Sequence, residues 1–326
     1  MNRADDAEFA LDRRALIRSF DRASVSYDAA ALLQAQVRTE LLERLHFLRR
    51  DPRSVLDLGC GTGAATVELA QRYPRASILG VDIAPGMVDA TTAALRDAFP
   101  ASALRAMLRR LLGRTAQRLP AAAQRTLRPP PLARCADASA LPLPSAAVEI
   151  VFSSLMLQWC EDLDTVLAEV RRVLTPQGVF LFSTFGPDTL RELRAAWAAA
   201  DGFNHVNRFL DMHELGSALS RHGFAEPVLD VDRVDRPCDD ARELMRELKL
   251  IGAHNVTGGR ARALTGKQRL RTMLDAYEAQ RVDGRLPVTY EVIYGCAWAP
   301  SGAAAPDSLK HGEVTVDVAH IRRRIR

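Results

Sequence analysis

The sequence predicts an α/β fold with a doubly wound, mostly parallel sheet, and three observations carry that prediction. Short apolar runs alternate with helical patterns from about residue 50 onward. The run Val55-Leu56-Asp57-Leu58-Gly59-Cys60-Gly61-Thr62-Gly63 ends an apolar stretch in a tight turn and leads directly into a helical segment, Ala64 to Ala70. A second apolar run, Ala76 to Asp82, ends in an acid. Strands separated by helices favour parallel pairing with helices on both faces.

The glycine turn is the most specific of these features. Glycine lets backbone pass close to a ligand because no Cβ intervenes, and the helix start beyond it offers unpaired N–H groups. Asp82 lies about 20 residues beyond the turn, where an acid is placed to bind ribose hydroxyls. The competing reading is an unliganded β–α turn with an N-capping aspartate.

The remaining elements follow in order. Leu11 to Leu48 is helical in pattern, with Leu32, Leu33, Val37, Leu41, Leu42 and Leu45 on one apolar face. Tyr73-Pro74 closes the helix after the glycine turn, and another helix begins near Pro85. Between Ala98 and Arg134 the chain departs from the alternation. Leu104 to Leu112 reads as a basic amphipathic helix, and Pro129-Pro130-Pro131 as an extended spacer. This stretch is an insertion before the third strand, and order returns at Arg134-Cys135-Ala136-Asp137-Ala138. Val148 to Ser154 is a buried strand, Leu163 to Leu174 a helix, Pro176-Gln177-Gly178 a turn and Val179 to Phe185 a strand. Gly186-Pro187-Asp188 caps a helix through Trp197, and a helix from Met212 to His222 ends at Gly223. Helices over Ala241 to Leu250 and near Arg269 to Gln280, then a strand from Thr289 to Trp298, complete the pattern. The expected organisation is an N-terminal helical lid (1–50), a main domain (51–300) carrying the basic insertion (98–134) and added C-terminal helices, and a basic tail (301–326).

Composition narrows the function classes. The chain has 326 residues, 48% hydrophobic and 26% charged, as in ordinary globular proteins. A formal charge of +4 is too small to argue for nucleic acid by itself. The N-terminus lacks the apolar core of a secretory signal, and no apolar run is long enough to span a bilayer. Cys60, Cys135, Cys160, Cys238 and Cys296 have neither zinc-ligand nor redox spacing, so they read as free thiols in a reducing cytoplasm, with no metal site.

The spacing Asp57-x-Gly59-x-Gly61-x-Gly63 resembles the first motif of the class I methyltransferases that use S-adenosylmethionine, whose fold is Rossmann-like. That resemblance implies a site. Asp57 and the backbone of Gly59, Gly61 and Gly63 suit the methionine end of the cofactor, and Asp82 suits its ribose. Ile83 and Met87 pack on the adenine, although Met87 reads equally well as a core methionine. Asp137 with Ala138 reads the adenine edge, unless Asp137 is a loop N-cap. Leu157, Gln158 and Trp159 follow the fourth strand, near the reactive methyl.

Further segments are more specific. Ser19-Phe20-Asp21-Arg22-Ala23 with Ser26-Tyr27-Asp28, Leu157-Gln158-Trp159-Cys160, Phe182 to Leu190 and His205 to His213 resemble the malonyl-[acyl-carrier protein] O-methyltransferases of biotin synthesis. So do Ile251 to Asn255, Leu264-Thr265-Gly266 and Leu286 to Gly295. The likeness runs from about Phe20 to Trp298. It implies methyl transfer from S-adenosylmethionine to the free carboxylate of a malonyl thioester on acyl carrier protein, which starts pimeloyl synthesis. A malonyl carboxylate is ionised at neutral pH, so no general base is needed and alignment dominates catalysis. An arginine selects and orients carboxylates bidentately. Motif position points to Arg208 for that clamp and to Tyr27, in the lid, for a hydroxyl partner. The plainer readings are a structural salt bridge for Arg208 and simple packing for Tyr27.

An acidic carrier calls for a basic docking surface. Arg105, Arg109, Arg110 and Arg114 of the insertion offer one, as do Arg13, Arg14 and Arg18, and a solvated insertion without a partner is the alternative. Two rival functions remain open: a methyltransferase for another small acceptor, and an S-adenosylmethionine-binding protein akin to the complex I assembly factors. Nucleic-acid methylation is disfavoured, because the chain reads Ser153-Ser154-Leu155-Met156 where an Asn/Asp-Pro-Pro-Tyr/Phe signature would stand.

Overall fold

The computed structural model describes residues 10–100, 130–260 and 265–301. Three α-helices open the described part of the chain: α1 (Arg13–Ala23), α2 (Tyr27–Ala30) and α3 (Leu32–Arg44). The order then runs β1 (Ser54–Leu58), α4 (Ala64–Arg72), β2 (Ser77–Asp82), α5 (Pro85–Ala98), β3 (Leu132–Cys135), β4 (Val148–Ser154), α6 (Leu163–Val173) and β5 (Leu174–Phe185). After it come α7 (Arg191–Ala198), α8 (Met212–Arg221), β6 (Ala225–Asp235), α9 (Ala241–Leu250), α10 (Lys267–Glu278) and β7 (Thr289–Trp298).

The seven strands form one sheet in the order β3-β2-β1-β4-β5-β7-β6. β1 to β5 run parallel to one another, and β7 lies antiparallel between β5 and β6. This is the doubly wound, mostly parallel sheet that the β–α alternation predicts. Because alternate residues of a strand face opposite ways, each central strand feeds two cores. Val55, Ile150 and Phe152 enter one, with Leu33, Val37 and Leu41 of α3. Leu56, Leu58 and Val151 enter the other, with Val166 and Val170 of α6.

Local chemistry sets the helix limits. The Asp12 side chain accepts from Ala15 N at 3.0 Å to cap α1. Pro85 stands at the first turn of α5, where its missing N–H costs nothing. Asp211 and Glu214 close a capping box on α8, and Gly223, at φ +72°, ends that region.

Several expectations need correction. The Leu11–Leu48 helical stretch is broken twice, at Ser24–Ser26 and at Ala31, which puts Tyr27 at a helix start. Its last α-helix, α3, packs into the core rather than lying over the site. The Pro176-Gln177-Gly178 turn is a bulge inside β5, where Gln177 takes φ +61°. The helix expected to follow Asp188 starts only at Arg191, after Leu190 at φ +55°. β3 begins at Leu132, so the last residues of the expected insertion belong to the sheet. Edge strand β6 went unpredicted, although Leu229-Asp230-Val231-Asp232 alternates with period two. The insertion arginines Arg105, Arg109, Arg110 and Arg114 and all but the first residue of the expected tail lie outside the described residues. Among the described residues, no helix is long and apolar enough to cross a membrane.

Candidate functional site

The carboxyl ends of β1, β2, β3 and β4 open into a cavity of about 260 Å³, where ligands sit in open α/β sheets. Each strand end supplies part of the wall. Gly59 and Gly61 follow β1, Asp82 and Ile83 close β2, Asp137 and Ala138 follow β3, and Leu155 and Met156 follow β4. Phe20 and Tyr27 close the cavity from the lid side.

The three glycines of the turn have different jobs. A Cβ on Gly59 would stand 2.3 Å from Met156 Cγ, and one on Gly63 would stand 2.8 Å from Thr91 Cα. Both serve packing. A Cβ on Gly61, at φ +54°, would meet nothing within 4 Å, and this residue lines the cavity. It marks the place where the turn admits a ligand. Gly61 N also donates to Asp82 Oδ2 at 3.0 Å, and Ala84 N donates to Oδ1 at 2.9 Å. Burial pushes the Asp82 carboxyl up, against the effect of these backbone donors. Asp82 thus presents a fixed acceptor to the cavity, which suits vicinal hydroxyls.

Asp57 sits beneath the turn rather than in the cavity wall. It is 1% exposed and accepts the Thr66 hydroxyl at 2.5 Å. Burial, reinforced by the nearby Asp82 charge and opposed by the Thr66 bond, pushes its carboxyl up to about 7. Met87 satisfies both of its readings, being buried and a wall residue at once. Asp137 Oδ1 accepts from Ser139 N at 2.9 Å, and its other oxygen pairs with Arg13 of α1. Acceptor, apolar walls and an open glycine together fit an adenosyl ligand.

A second cavity of about 80 Å³ adjoins the first. Phe20, Tyr27, Leu155 and Trp159 line both, with Phe20 set edge-on to Trp159 at 5.1 Å. The polar groups of the second cavity include Gln158, Thr189, Asn207, His254 and Asn255. Gln158 Nε2 donates to Leu155 O at 2.7 Å, and its Oε1 accepts from Thr184 at 3.1 Å. Leu157, by contrast, is buried in the core beside α6 and lines neither cavity. Leu155 itself takes φ +50°, a left-handed conformation costly for leucine, at the junction of the two spaces.

Burial works against charge on two groups of this second space. Burial, then Asp82 and Asp28, push the Tyr27 hydroxyl up, so it stays a proton donor. Burial, then the charges of Lys249 and Arg22, push His254 down. Asn207 is 7% exposed, and among the described residues its Oδ1 has no hydrogen-bond partner. Asn255 fastens the surrounding loops: Nδ2 donates to Asn204 O, and Oδ1 accepts from Thr257 N at 2.9 Å.

Arg208 is set apart from both spaces. It lines an outer cavity with Asp211 and Glu214, which shares His205, Val206, Asn207 and Phe209 with the second, and its guanidinium pairs with Glu214 at 3.3 Å. The expected carboxylate clamp thus lies in the outer cavity and not in the wall of the second. Asn207, one position earlier, lines both the second and the outer cavity, and only the loop geometry distinguishes the two residues. Asn207, His254 and Asn255 lie within segments that the family resemblance singled out, yet nothing in the sequence gave their direction.

Residues 56–182 match the model of a methyltransferase domain. The Methylovorus sp. malonyl-[acyl-carrier protein] O-methyltransferase is 45% identical over 302 residues, covering 92% of this chain and 94% of that protein. The protein of the same name from Laribacter hongkongensis is 45% identical, covering 90% and 91%. That of Halorhodospira halophila is 43% identical, covering 97% and 98%. Among solved structures, the YcgJ protein of Bacillus subtilis superposes with a TM-score of 0.50 at 16% identity, over 80% of this chain and 98% of that one. A Bacillus halodurans protein superposes with a TM-score of 0.51 at 13% identity, over 80% and 99%.

Proposed function

The chain belongs to the malonyl-[acyl-carrier protein] O-methyltransferase family, and from that premise we propose that it methylates the free carboxylate of a malonyl thioester borne by acyl carrier protein. The observation that carries this reading is the joining of two cavities through one wall of Phe20, Tyr27, Leu155 and Trp159. One is built from the glycine turn and Asp82, and the other is small and lined by neutral polar groups.

S-adenosylmethionine, when bound, supplies a methyl group on a positively charged sulfur. Gly61 gives its methionine end room, Gly59 and Gly63 keep the turn packed, and the Asp82 carboxylate accepts the ribose hydroxyls. Ile83, Met87 and Ala138 enclose the adenine, with Asp137 at its edge. Asp57 acts from below, holding the helix after the turn through Thr66. Leu157 supports the wall from the core, and Gln158 braces Leu155 between the two spaces.

The acceptor carboxylate is already ionised at neutral pH, so no side chain has to remove a proton. The protein's task is to place one carboxylate oxygen in line with the methyl. The Tyr27 hydroxyl donates to the other oxygen. The Asn207 amide, whose oxygen lacks a partner as it stands, turns its NH₂ inward as a second donor. Neutral donors orient the nucleophile without quenching it as a buried guanidinium would. Arg208 is a positioning residue that holds the 205–211 segment through Glu214. We place the enzyme in the cytoplasm, a reading supported by five cysteines that are all unpaired.

Incubation with S-adenosylmethionine and malonyl-carrier, followed by intact mass of the carrier, tests the proposal. One added methyl, absent with acetyl-carrier, is expected. Methyl transfer to some other acceptor, with the malonyl-carrier untouched, would overturn it.

A further inference from the structure

The second cavity is walled on one side by Phe20 and Tyr27 of the lid and by Leu248, Ile251 and His254 at the end of α9. Lid and α9 are fastened together there. Ser26 Oγ donates to Leu250 O at 2.9 Å. Gly252, at φ +76°, lies so close that a Cβ would stand 3.1 Å from Ala23 Cβ and from the Phe20 ring.

The outer faces of these two joined elements match one another. On α1, Arg18 and Arg22 are one turn apart and exposed, followed by Val25, 93% exposed. On α9, Arg246 and Lys249 are exposed on the same face as Leu250, itself 48% exposed. Among the described residues, Arg22 and Lys249 form no ion pair, and both stand near enough to His254 to act on its charge. The surface is therefore two apolar side chains with four cations around them and the exposed carboxylates of Asp21, Glu243 and Glu247 interspersed, at the rim of the second cavity. Lysine is otherwise scarce in this chain, appearing only at Lys249, Lys267 and Lys310.

We propose that this rim, Arg18, Arg22, Arg246 and Lys249 around Val25 and Leu250, is the docking surface for the acidic carrier protein that delivers the malonyl group. The inference rests on the acceptor reading given above. A thioester that enters the second cavity brings its carrier against the cavity rim. An acidic carrier with a small apolar spot complements four cations around two apolar side chains. Neither the basic insertion nor a second copy of this rim offers that complement.

The test is the double charge reversal Arg18→Glu/Arg246→Glu, which spares the two cations that act on His254, assayed with malonyl-carrier and with malonyl-pantetheine, which has neither carrier nor phosphate. Cofactor affinity, measured by calorimetry, reports on folding. For malonyl-carrier, kcat/KM should fall at least about tenfold and lose its salt dependence, while malonyl-pantetheine turnover and cofactor affinity stay unchanged. Unchanged carrier turnover would overturn the proposal, as would an equal fall with both thioesters. A wild-type dimer that the reversal splits, with carrier turnover intact, would assign the rim to a second copy instead. If the wild-type enzyme methylates neither thioester, the acceptor reading itself fails, and docking falls with it.

Discussion

The Asp28 carboxylate accepts the Thr62 hydroxyl at 2.6 Å, so the lid is bonded directly to the glycine turn. Two further bonds run the same way: Asp21 Oδ1 accepts from Gly86 N at 2.6 Å, and Arg13 pairs with Asp137. The lid therefore reaches the loops after β1, β2 and β3. Thr62→Val removes one tie without altering shape much. A hydrogen bond to a charged group is worth about 1.5–3 kcal/mol. The variant should bind S-adenosylmethionine at least about tenfold more weakly in calorimetry, and wild-type affinity would show that the tie has no part in closing the site.

The glycines of the turn separate folding from binding. Gly59→Ala drives a methyl into Met156 and should lower the melting temperature strongly. Gly61→Ala meets no atom, so its stability cost is only that of a left-handed alanine, about 1 kcal/mol. Its methyl nonetheless projects where the cofactor belongs. A stable Gly61→Ala protein that fails to bind S-adenosylmethionine is the expected result, and normal binding would place the cofactor elsewhere.

Tyr27, Asn207 and Arg208 should part in kinetics. Tyr27→Phe and Asn207→Ala each remove a donor to the acceptor and should lower kcat/KM for malonyl-carrier roughly 10- to 100-fold, with cofactor affinity unchanged. Arg208→Ala breaks a partly exposed ion pair worth about 0–1 kcal/mol and should cost less than about fivefold. A larger loss at Arg208 than at Asn207 would restore the arginine clamp.

Asp57 makes stability depend on pH. Its folded carboxyl lies at about 7, above its ordinary value, so the folded state holds a proton that the unfolded chain gives up. Its contribution is fully present below about pH 4 and is lost as pH rises through about 7. Melting temperatures of wild type and Asp57→Asn, read from pH 4 to 8, should move apart in favour of the variant as pH rises. Parallel curves would show that Asp57 ionises without cost.

Much of this architecture was legible in the sequence. The β1–α4–β2 unit could be read because turn chemistry, strand length and the acid of β2 coincide in a short stretch. β6 was missed because it is an edge strand with half its residues in solvent, so its apolar content is low. The broken lid escaped notice for a related reason: Ser24–Ser26 and Ala31 interrupt the helix without glycine or proline. At the site, the wall of the first cavity was readable because its residues follow strand ends, where direction is set by the sheet. The second cavity is walled partly by loops, where the placement of Asn207 and Arg208 depends on ties such as Asn255 to Asn204 and Arg208 to Glu214.

The wall shared by the two cavities has a kinetic consequence. Phe20 and Tyr27 belong to the lid, so lifting it for cofactor exchange also dismantles the seat of the acceptor. The two substrates then cannot arrive in either sequence with equal ease. Initial-rate kinetics should therefore be ordered, with cofactor entering first and the demethylated product leaving last, so that this product competes with cofactor but not with the malonyl thioester; random-order patterns would show that the shared wall does not gate binding.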